Sequence, residues 1–336
     1  MKARADELVV DVLPRLSGVG AIVDEGDRFV GTITDAAVRR RILVEADPGD
    51  LTCGDVLDTE PLCVAPGTPD DEVRALLSSH HVRVAAIVDG DRFVGPTTVD
   101  VPVPPTSAVA LAGGKGERLQ PLTFKVPKPL LQVGGRSMLE RTLESLAASQ
   151  VLDVWIAVGY MAEMIEERIG DGSQLGLRVR YLREREPLNS AGPLTLLEDE
   201  PPGPVIITNT DQITNMSFAR MVDYHLAEQA DITVASMTFE VPVPYAVFEL
   251  RHGELSGVAE KPTVRFPCNA GYYVIDPRVI SMVPRDTYYG MPELMEVVMR
   301  GGGRVVVFPM VERWIDIGTP DELEKALLLF ATGEEP

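Results

Sequence analysis

Residues Leu111 to Leu131, LAGGKGERLQPLTFKVPKPLL, continue directly from the apolar run Ala108-Val109-Ala110. The run through Leu111 reads as a buried strand. Behind it come Gly113, Gly114 and Gly116, then Arg118, then Lys128 between two prolines. A strand that opens into a glycine-rich loop points backbone N–H groups at an anion, and Arg118 and Lys128 add fixed positive charge there. Between Gly113 and Arg136 five basic residues face a single acid, Glu117, in a chain of net charge −20. That positive island predicts an anion site, and a nucleoside triphosphate is the ligand it suggests.

Working outward, the chain alternates. Val154–Val158, Leu177–Tyr181, Val205–Ile207 and Ile232–Ala235 read as further strands. Met138–Ala148, Met161–Ile169 and Phe218–Gln229 read as helices between them. Such alternation predicts an α/β fold: a Rossmann-like, mostly parallel sheet covered on both faces, with ligands at the carboxyl ends of its strands. This domain is expected to span residues 108–336. The proline-rich segment 101–107 before it reads as a stiff linker.

Upstream lies an internal repeat. Ala21-Ile-Val-Asp24 and Asp27-Arg-Phe-Val-Gly31 recur as Ala86-Ile-Val-Asp89 and Asp91-Arg-Phe-Val-Gly95. Each copy reads as strand, turn, strand. A helix capped by Thr34 or Asp35 follows the first copy, and another runs from Asp70 to His80. Two copies are too few for a solenoid and predict a small α+β domain over residues 1–100 with internal two-fold symmetry.

Length and composition fit two globular domains, with 336 residues, 45% of them hydrophobic. The acidic balance argues against nucleic-acid and anionic-membrane partners. No apolar run reaches membrane-spanning length and no signal pattern opens the chain, so a cytoplasmic location is the default expectation. Cys53, Cys63 and Cys268 lie far apart and read as buried free thiols. His80 and His81 end a helix, His225 and His252 lie outside every motif, and none is assigned to catalysis.

The glycine run fits neither common phosphate motif. A dinucleotide fingerprint starting at Gly114 and Gly116 would need a third glycine where Leu119 stands, and the Gly-Lys-Ser/Thr of a P-loop is missing. The segment instead resembles the signature of the sugar-1-phosphate nucleotidylyltransferases, LAGGxGxRLxPLTxxxPKPLL. The resemblance runs from about residue 107 to 330. It continues through Glu186-Pro-Leu-Asn-Ser-Ala-Gly-Pro-Leu194, with Asn189 and Ser190 at the usual Gly and Thr positions. It includes Thr208-Asn-Thr-Asp211, Glu260-Lys-Pro262, Asn269-Ala-Gly-Tyr-Tyr273 and Trp314-Ile-Asp-Ile-Gly-Thr-Pro320.

What this resemblance implies is a two-substrate site. Leu111, Ala112, Gly113, Gly114, Lys115 and Gly116, with Pro187, Leu188, Ala191 and Gly192, would bind the nucleotide. Arg118 would stabilise leaving pyrophosphate, and Lys128 would bridge the α-phosphate and the incoming phosphate. Asp211 and Asp316 would hold Mg²⁺, whose preference is for oxygen ligands. Glu260, Lys261, Asn269 and Gly271 would bind the sugar phosphate, and Gly159-Tyr160 would lie near the sugar. Ser190 also reads as a cap for a helix starting in its own segment. The implied substrates are a nucleoside triphosphate and a sugar 1-phosphate.

Residues 1–100 are similar to a tandem cystathionine-β-synthase-type (CBS) pair. Ala37 stands where such pairs carry a nucleotide-binding Asp after Thr34, and Thr97-Thr98-Val99-Asp100 runs straight into the linker. A structural or dimerisation role therefore stands beside ligand sensing. Relatives with an attached pair resemble guanylyltransferases, so GTP is the first expectation. A sensor with a weakened transferase domain, a cytidylyltransferase acting on a non-sugar phosphate or phosphonate, and a homo-oligomer remain open on sequence alone.

Overall fold

The structure is a computed structural model that describes residues 1–16, 18–43, 48–80, 82–97, 99 and 104–333. The repeat is visible in it. Strands β1 (Val19–Val23) and β2 (Phe29–Thr34) form one antiparallel hairpin, and β3 (Ala86–Asp89) and β4 (Arg92–Pro96) form the second. In each copy a two-residue strand, Lys2–Ala3 or Cys63–Val64, runs parallel beside the first hairpin strand. The copies meet through equivalent residues. Phe29 stacks on Phe93 with centroids 6.3 Å apart, and Ala21 and Ala86 are both fully buried.

Helix α1 (Asp35–Ile42) follows the first hairpin, and Thr34 Oγ1 accepts the Ala37 N–H at 3.2 Å. The sequence left Thr34 and Asp35 as alternatives; the hydroxyl takes the cap, and the Asp35 carboxylate is turned to arginines. Helix α2 (Asp70–Ser79) begins behind Pro69 and ends one residue before His80. His81, Thr98 and Asp100, and residues 101–103 of the expected linker, lie outside the described residues.

The rest of the chain builds one seven-stranded sheet. Its members are β5 (Ser107–Leu111), β6 (Asp153–Val158), β7 (Arg178–Arg183), β8 (Val205–Asn209), β10 (Ile232–Pro242), β13 (Thr263–Ile275) and β14 (Val305–Pro309). The order is β7-β6-β5-β8-β13-β10-β14, and only β13 runs against the others. Ser107, read as the last linker residue, already pairs in β5. Alternate residues of β5 serve opposite cores. Ala108 and Ala110 pack under α3 (Met138–Ala148) and α4 (Ala162–Ile169), while Val109 faces Leu294 and Val298 of α6 (Met291–Arg300). Buried on both faces, the inner strands β6, β5 and β8 are near-continuous apolar runs, as buried parallel strands are, while the edge strand β7 alternates exposed arginines with Val179 and Leu182.

Three smaller pieces complete the domain. A two-stranded ribbon joins β9 (Gln212–Thr214) to β15 (Trp314–Asp316). A hairpin of β11 (Val247–Arg251) and β12 (Glu254–Ala259) extends beyond the long β10–β13 ladder. Helices α5 (Phe218–Ala227) and α7 (Pro320–Thr332) follow the two ribbon strands.

The cysteines depart from expectation. Cys53 is buried, but Cys63 is exposed on its short strand and Cys268 is half-buried. Successive side chains on a strand point to opposite faces, and Val64 takes the core, which turns Cys63 outward.

Candidate active site

Strand order reverses around β5. The chain leaves β5 for β6 and β7 on one side, then crosses back to β8 on the other. Such a switch point opens a crevice at the carboxyl ends of the strands. Here it is a cleft of about 890 Å³. The segments after β5 (Leu111 to Arg118), β6 (Gly159 and Tyr160), β7 (Glu184 to Asn189 and Ser190) and β8 (Asn209 to Asp211) line it.

The glycine loop is shaped by its own backbone. Gly116 has φ +63°, and a Cβ there would stand 2.9 Å from Lys128 Cβ and 3.0 Å from Thr123 Cγ2. Only glycine fits that left-handed position without moving Lys128. Thr123 Oγ1 donates to the Gly116 carbonyl at 2.9 Å, and the Tyr160 N–H donates to the Gly113 carbonyl at 3.1 Å. The loop is therefore fixed from both sides.

Lys128 is buried, and its Nζ reaches Asp211 Oδ2 at 2.5 Å. Asp211 stands two residues past the end of β8, and between them Thr210 Oγ1 donates to the Leu111 carbonyl at 2.7 Å and ties β8 to β5. Across the ribbon Gln212 pairs with Asp316, and the Ile317 N–H donates to the Asp211 carbonyl at 2.9 Å. Two carboxylates far apart in sequence thus come together. Burial first, and the neighbouring Asp211 charge second, push the Asp316 carboxyl above the ordinary range, with Lys128 opposing. A Cβ on Gly318 would stand 3.2 Å from both terminal nitrogens of Arg118 and from Asp316 Oδ2, so Arg118 and Asp316 flank one glycine.

Asp211 Oδ1 is buried and has no hydrogen-bond partner among the described residues. An orphaned carboxylate oxygen beside a second carboxylate fits a hard divalent cation. No group of three or more His, Cys, Asp and Glu that could hold a metal occurs among the described residues. Any such ion would complete its shell with water and phosphate oxygens.

Of the sequence-derived nucleotide residues, Leu111, Ala112, Gly113, Gly114, Lys115, Gly116 and Pro187 line the cleft, as do Arg118, Lys128 and Asp211. Leu188, Ala191 and Gly192 lie behind it. The Tyr289 N–H donates to the Leu188 carbonyl, and the N–H groups of Ala191 and Gly192 both donate to the Tyr289 carbonyl. Asn189 has φ +65°, a conformation Asn tolerates better than most residues. Ser190 caps a helix, but not in its own segment: its Oγ accepts the Met291 N–H of α6 at 2.9 Å. Residues 192–196 form only a short 3-10 turn without a side-chain cap.

Asn269 and Gly271 lie on β13. Asn269 donates to the Tyr273 hydroxyl at 2.6 Å and accepts the Gly271 N–H at 2.9 Å. Gly271 has φ +80°, and a Cβ there would stand 2.5 Å from Asn209 Nδ2. Tyr273, Asn209, Asn189 and Ser190 line a second cavity of about 590 Å³ that adjoins the cleft. Glu260 and Lys261 are not brought there. Both are exposed between β12 and β13 and line neither cavity. At strand rise, eight residues separate Lys261 from Asn269 by roughly 25 Å.

The residue that sequence reasoning missed is Glu184. It lines the cleft at the end of β7, with Oε1 against Gly113 and Oε2 accepting the Leu188 N–H at 2.8 Å. Burial pushes its carboxyl above the usual range, with the Leu188 N–H opposing. In the sequence it sits in Arg183-Glu-Arg-Glu186, which reads as a solvated charged stretch. Its place three residues past the expected strand Leu177–Tyr181, at the sheet's ligand end, was the available signal.

Residues 107–332 match the family described as nucleotidyl transferase. The chain belongs to this family. Among curated relatives, a mannose-1-phosphate guanyltransferase of Yarrowia lipolytica is 32% identical over 229 residues, covering 66% of this chain and 62% of its own length. Mannose-1-phosphate guanyltransferase beta-B of Xenopus laevis is 31% identical, covering 66% and 64%. The chain therefore spans under two thirds of the length of these relatives.

Two solved structures share the nucleotidyl transferase fold. One is a putative glucose-1-phosphate thymidylyltransferase from Bacillus anthracis (TM-score 0.56, 22% identity, covering 67% of this chain and 95% of that one). The other is HddC from Yersinia pseudotuberculosis complexed with GMP-PN (TM-score 0.51, 22% identity, covering 67% and 99%).

Proposed function

We propose that this chain is a sugar-1-phosphate nucleotidylyltransferase using GTP. The observation that carries the reading is the Lys128–Asp211 pair beside Asp316, under a glycine loop at the sheet's switch point. In the reaction an oxygen of the sugar 1-phosphate attacks the α-phosphorus of the triphosphate in line. One P–O bond forms, the bond to pyrophosphate breaks, and pyrophosphate leaves with its electron pair. The nucleophile is already an anion near neutral pH, so no general base is needed. The barrier lies in bringing anions together, and catalysis is positioning and charge neutralisation.

Lys128, aimed by its flanking prolines and by Asp211, neutralises the phosphates at the reacting phosphorus. Arg118, at the open side of the same site, takes the charge of the leaving pyrophosphate. Backbone N–H groups of Gly113, Gly114 and Gly116 cradle the triphosphate. Asp211 and Asp316 would hold Mg²⁺. When bound, the ion supplies Lewis-acid stabilisation of the phosphate oxygens.

Glu184 supports guanine as the base. An ionised carboxylate only accepts hydrogen bonds. Guanine offers adjacent N1–H and N2–H donors on one edge, whereas adenine sets the N1 acceptor there. The guanyltransferase names of the relatives point the same way. For the acceptor, the cavity of Asn209, Tyr273 and Asn189 supports binding of a polyhydroxylated sugar, with Asn269 and Gly271 shaping its wall. Glu260 and Lys261 join it only if the β10–β13 arm bends inward. We read residues 1–100 as a CBS-type pair, with the linker ending near residue 107, and the enzyme as cytoplasmic. The doubled three-strand pattern and the Phe29–Phe93 contact support that pair.

Pyrophosphate release from each of four nucleoside triphosphates, with Mg²⁺ and a panel of sugar 1-phosphates, tests the reading. Release with GTP above the other three is expected. Release with CTP and a non-sugar phosphate, or none with any pair, would overturn it.

A further inference from the structure

The ribbon of β9 and β15 sets the two candidate metal carboxylates, and each of its strands joins a segment gripped by the N-terminal third. On one side, Pro309 to Arg313 leads into β15. Arg39 of α1, fully buried, donates from Nη1 to the Pro309 carbonyl at 2.6 Å. Its Nη2 meets Glu312 Oε1 at 2.6 Å, and its guanidinium lies 3.9 Å over the Phe308 ring.

On the other side, β9 leads into Ser217 and α5. Arg220, in the first turn of α5, donates to the carbonyls of Leu13 at 3.2 Å and Leu16 at 2.8 Å. One carboxylate joins the two grips: Asp35 meets Arg39 Nε at 2.7 Å through Oδ2 and Arg220 Nη1 at 3.6 Å through Oδ1. The segments are also tied to each other. The Arg313 N–H donates to Asn215 Oδ1 at 3.1 Å, and Thr214 Oγ1 donates to the Arg313 carbonyl at 2.8 Å.

Taking Arg39 wholly out of water is expensive, and a buried ion pair is weak evidence of stabilisation. What a guanidinium does provide is a rigid planar fork whose partners must keep fixed places. Its partners Phe308 and Pro309 end the edge strand β14, and Glu312 lies two residues before the ribbon strand β15. Two other ion pairs between the same units lie away from the ribbon: Arg40 meets Glu228 at 2.8 Å, just past the end of α5, and the second is more exposed. Arg83 meets Asp223 at 2.7 Å with both side chains exposed, on the middle of α5.

We infer that the N-terminal third is a positioning element for the ribbon carrying Asp211 and Asp316, acting through Asp35, Arg39, Glu312 and Arg220. This rests on the proposed function only for what the carboxylates hold. These four are positioning residues; none lines the cleft.

The test uses the full chain with Glu312→Gln, Arg220→Gln and, as a control for simple gluing, Arg83→Gln. Hydrogen exchange across Gln212–Thr214 and Trp314–Asp316 reads the ribbon without metal or substrate. Exchange there rises in Glu312→Gln and Arg220→Gln and stays at the wild-type rate in Arg83→Gln. Mn²⁺ affinity, followed by electron paramagnetic resonance, falls about tenfold in the first two, the scale of losing an outer-shell partner. Turnover falls with it while KM for the triphosphate holds.

Wild-type exchange in both folded variants, or equal changes in Arg83→Gln, overturns the inference. If Glu312→Gln does not fold, Arg220→Gln, whose side chain is 30% exposed, carries the test. Asp316→Asn separates the two readings. Unchanged Mn²⁺ affinity in that variant refutes the metal reading and leaves the exchange result to decide the coupling.

Discussion

Replacing Gly116 by alanine probes the joint between loop and lysine. At φ +63° an alanine costs about 1–2 kcal/mol in backbone strain. The loss of freedom in the unfolded chain returns roughly 0.4–1 kcal/mol. The new Cβ also meets Lys128 Cβ at 2.9 Å and Thr123 Cγ2 at 3.0 Å, closer than such atoms sit. Lys128 lies between prolines and is buried, so it yields by shifting its backbone, and Nζ leaves Asp211. A net destabilisation of about 1–2 kcal/mol is expected, together with a fall in turnover of about a hundredfold, the scale of a small displacement of a reacting group. Gly114→Ala is the matched control, since nothing lies within 4 Å of a Cβ there. It should melt like wild type and raise KM for the triphosphate by filling ligand space. Thermal melting and steady-state pyrophosphate release read both variants. Wild-type turnover in Gly116→Ala would refute the claim that this glycine sets the lysine.

Three further outcomes follow from individual side chains. Glu184→Gln should cut the GTP-over-ATP preference by about ten- to a hundredfold, the scale of one bidentate base contact, read as a ratio of kcat/KM values. Burial holds His225 at about 4, below the 6.5 of an unfolded chain, while its Nδ1 sits 2.9 Å from Thr233 Oγ1. Between those values the unfolded chain binds the proton and the folded chain does not. Stability therefore falls as pH drops from 6.5 to 4, by about 3 kcal/mol at most, and His225→Gln flattens that slope in urea titrations. Ser190→Ala removes the hydroxyl that caps Met291 and should cost about 1 kcal/mol, visible as a lower denaturation midpoint with GTP preference unchanged.

The centre of the sheet was legible because its strands are buried on both faces. Ala108–Leu111 and Val205–Ile207 are unbroken apolar runs with no competing reading. Met138–Ala148 was equally clear, since Leu139, Leu143 and Leu146 repeat at helical spacing. Strand direction was not legible: nothing in β13 marks it as the one antiparallel member. The long arm was hidden by Pro242 and Pro267, residues that ordinarily argue against a central strand. Ribbon strands of three residues are too short to show a period, so the meeting of Asp211 with Asp316 came only from resemblance. Glu184 escaped notice because burial, not sequence, separates it from Arg185 and Glu186. Arg39 looked like one member of a basic helix face, Arg39-Arg40-Arg41, yet it alone is fully buried.

The central claim is that Lys128, Asp211 and Asp316 form one phosphoryl-transfer centre. Its most direct measurement is pyrophosphate release with GTP, Mg²⁺ and the preferred sugar 1-phosphate, compared between the wild type and Asp211→Ala. The account predicts Mg²⁺-dependent release in the wild type and a loss of at least about a hundredfold in turnover in the variant, the scale of removing one preorganised electrostatic group. Near-normal turnover in a folded Asp211→Ala would contradict it.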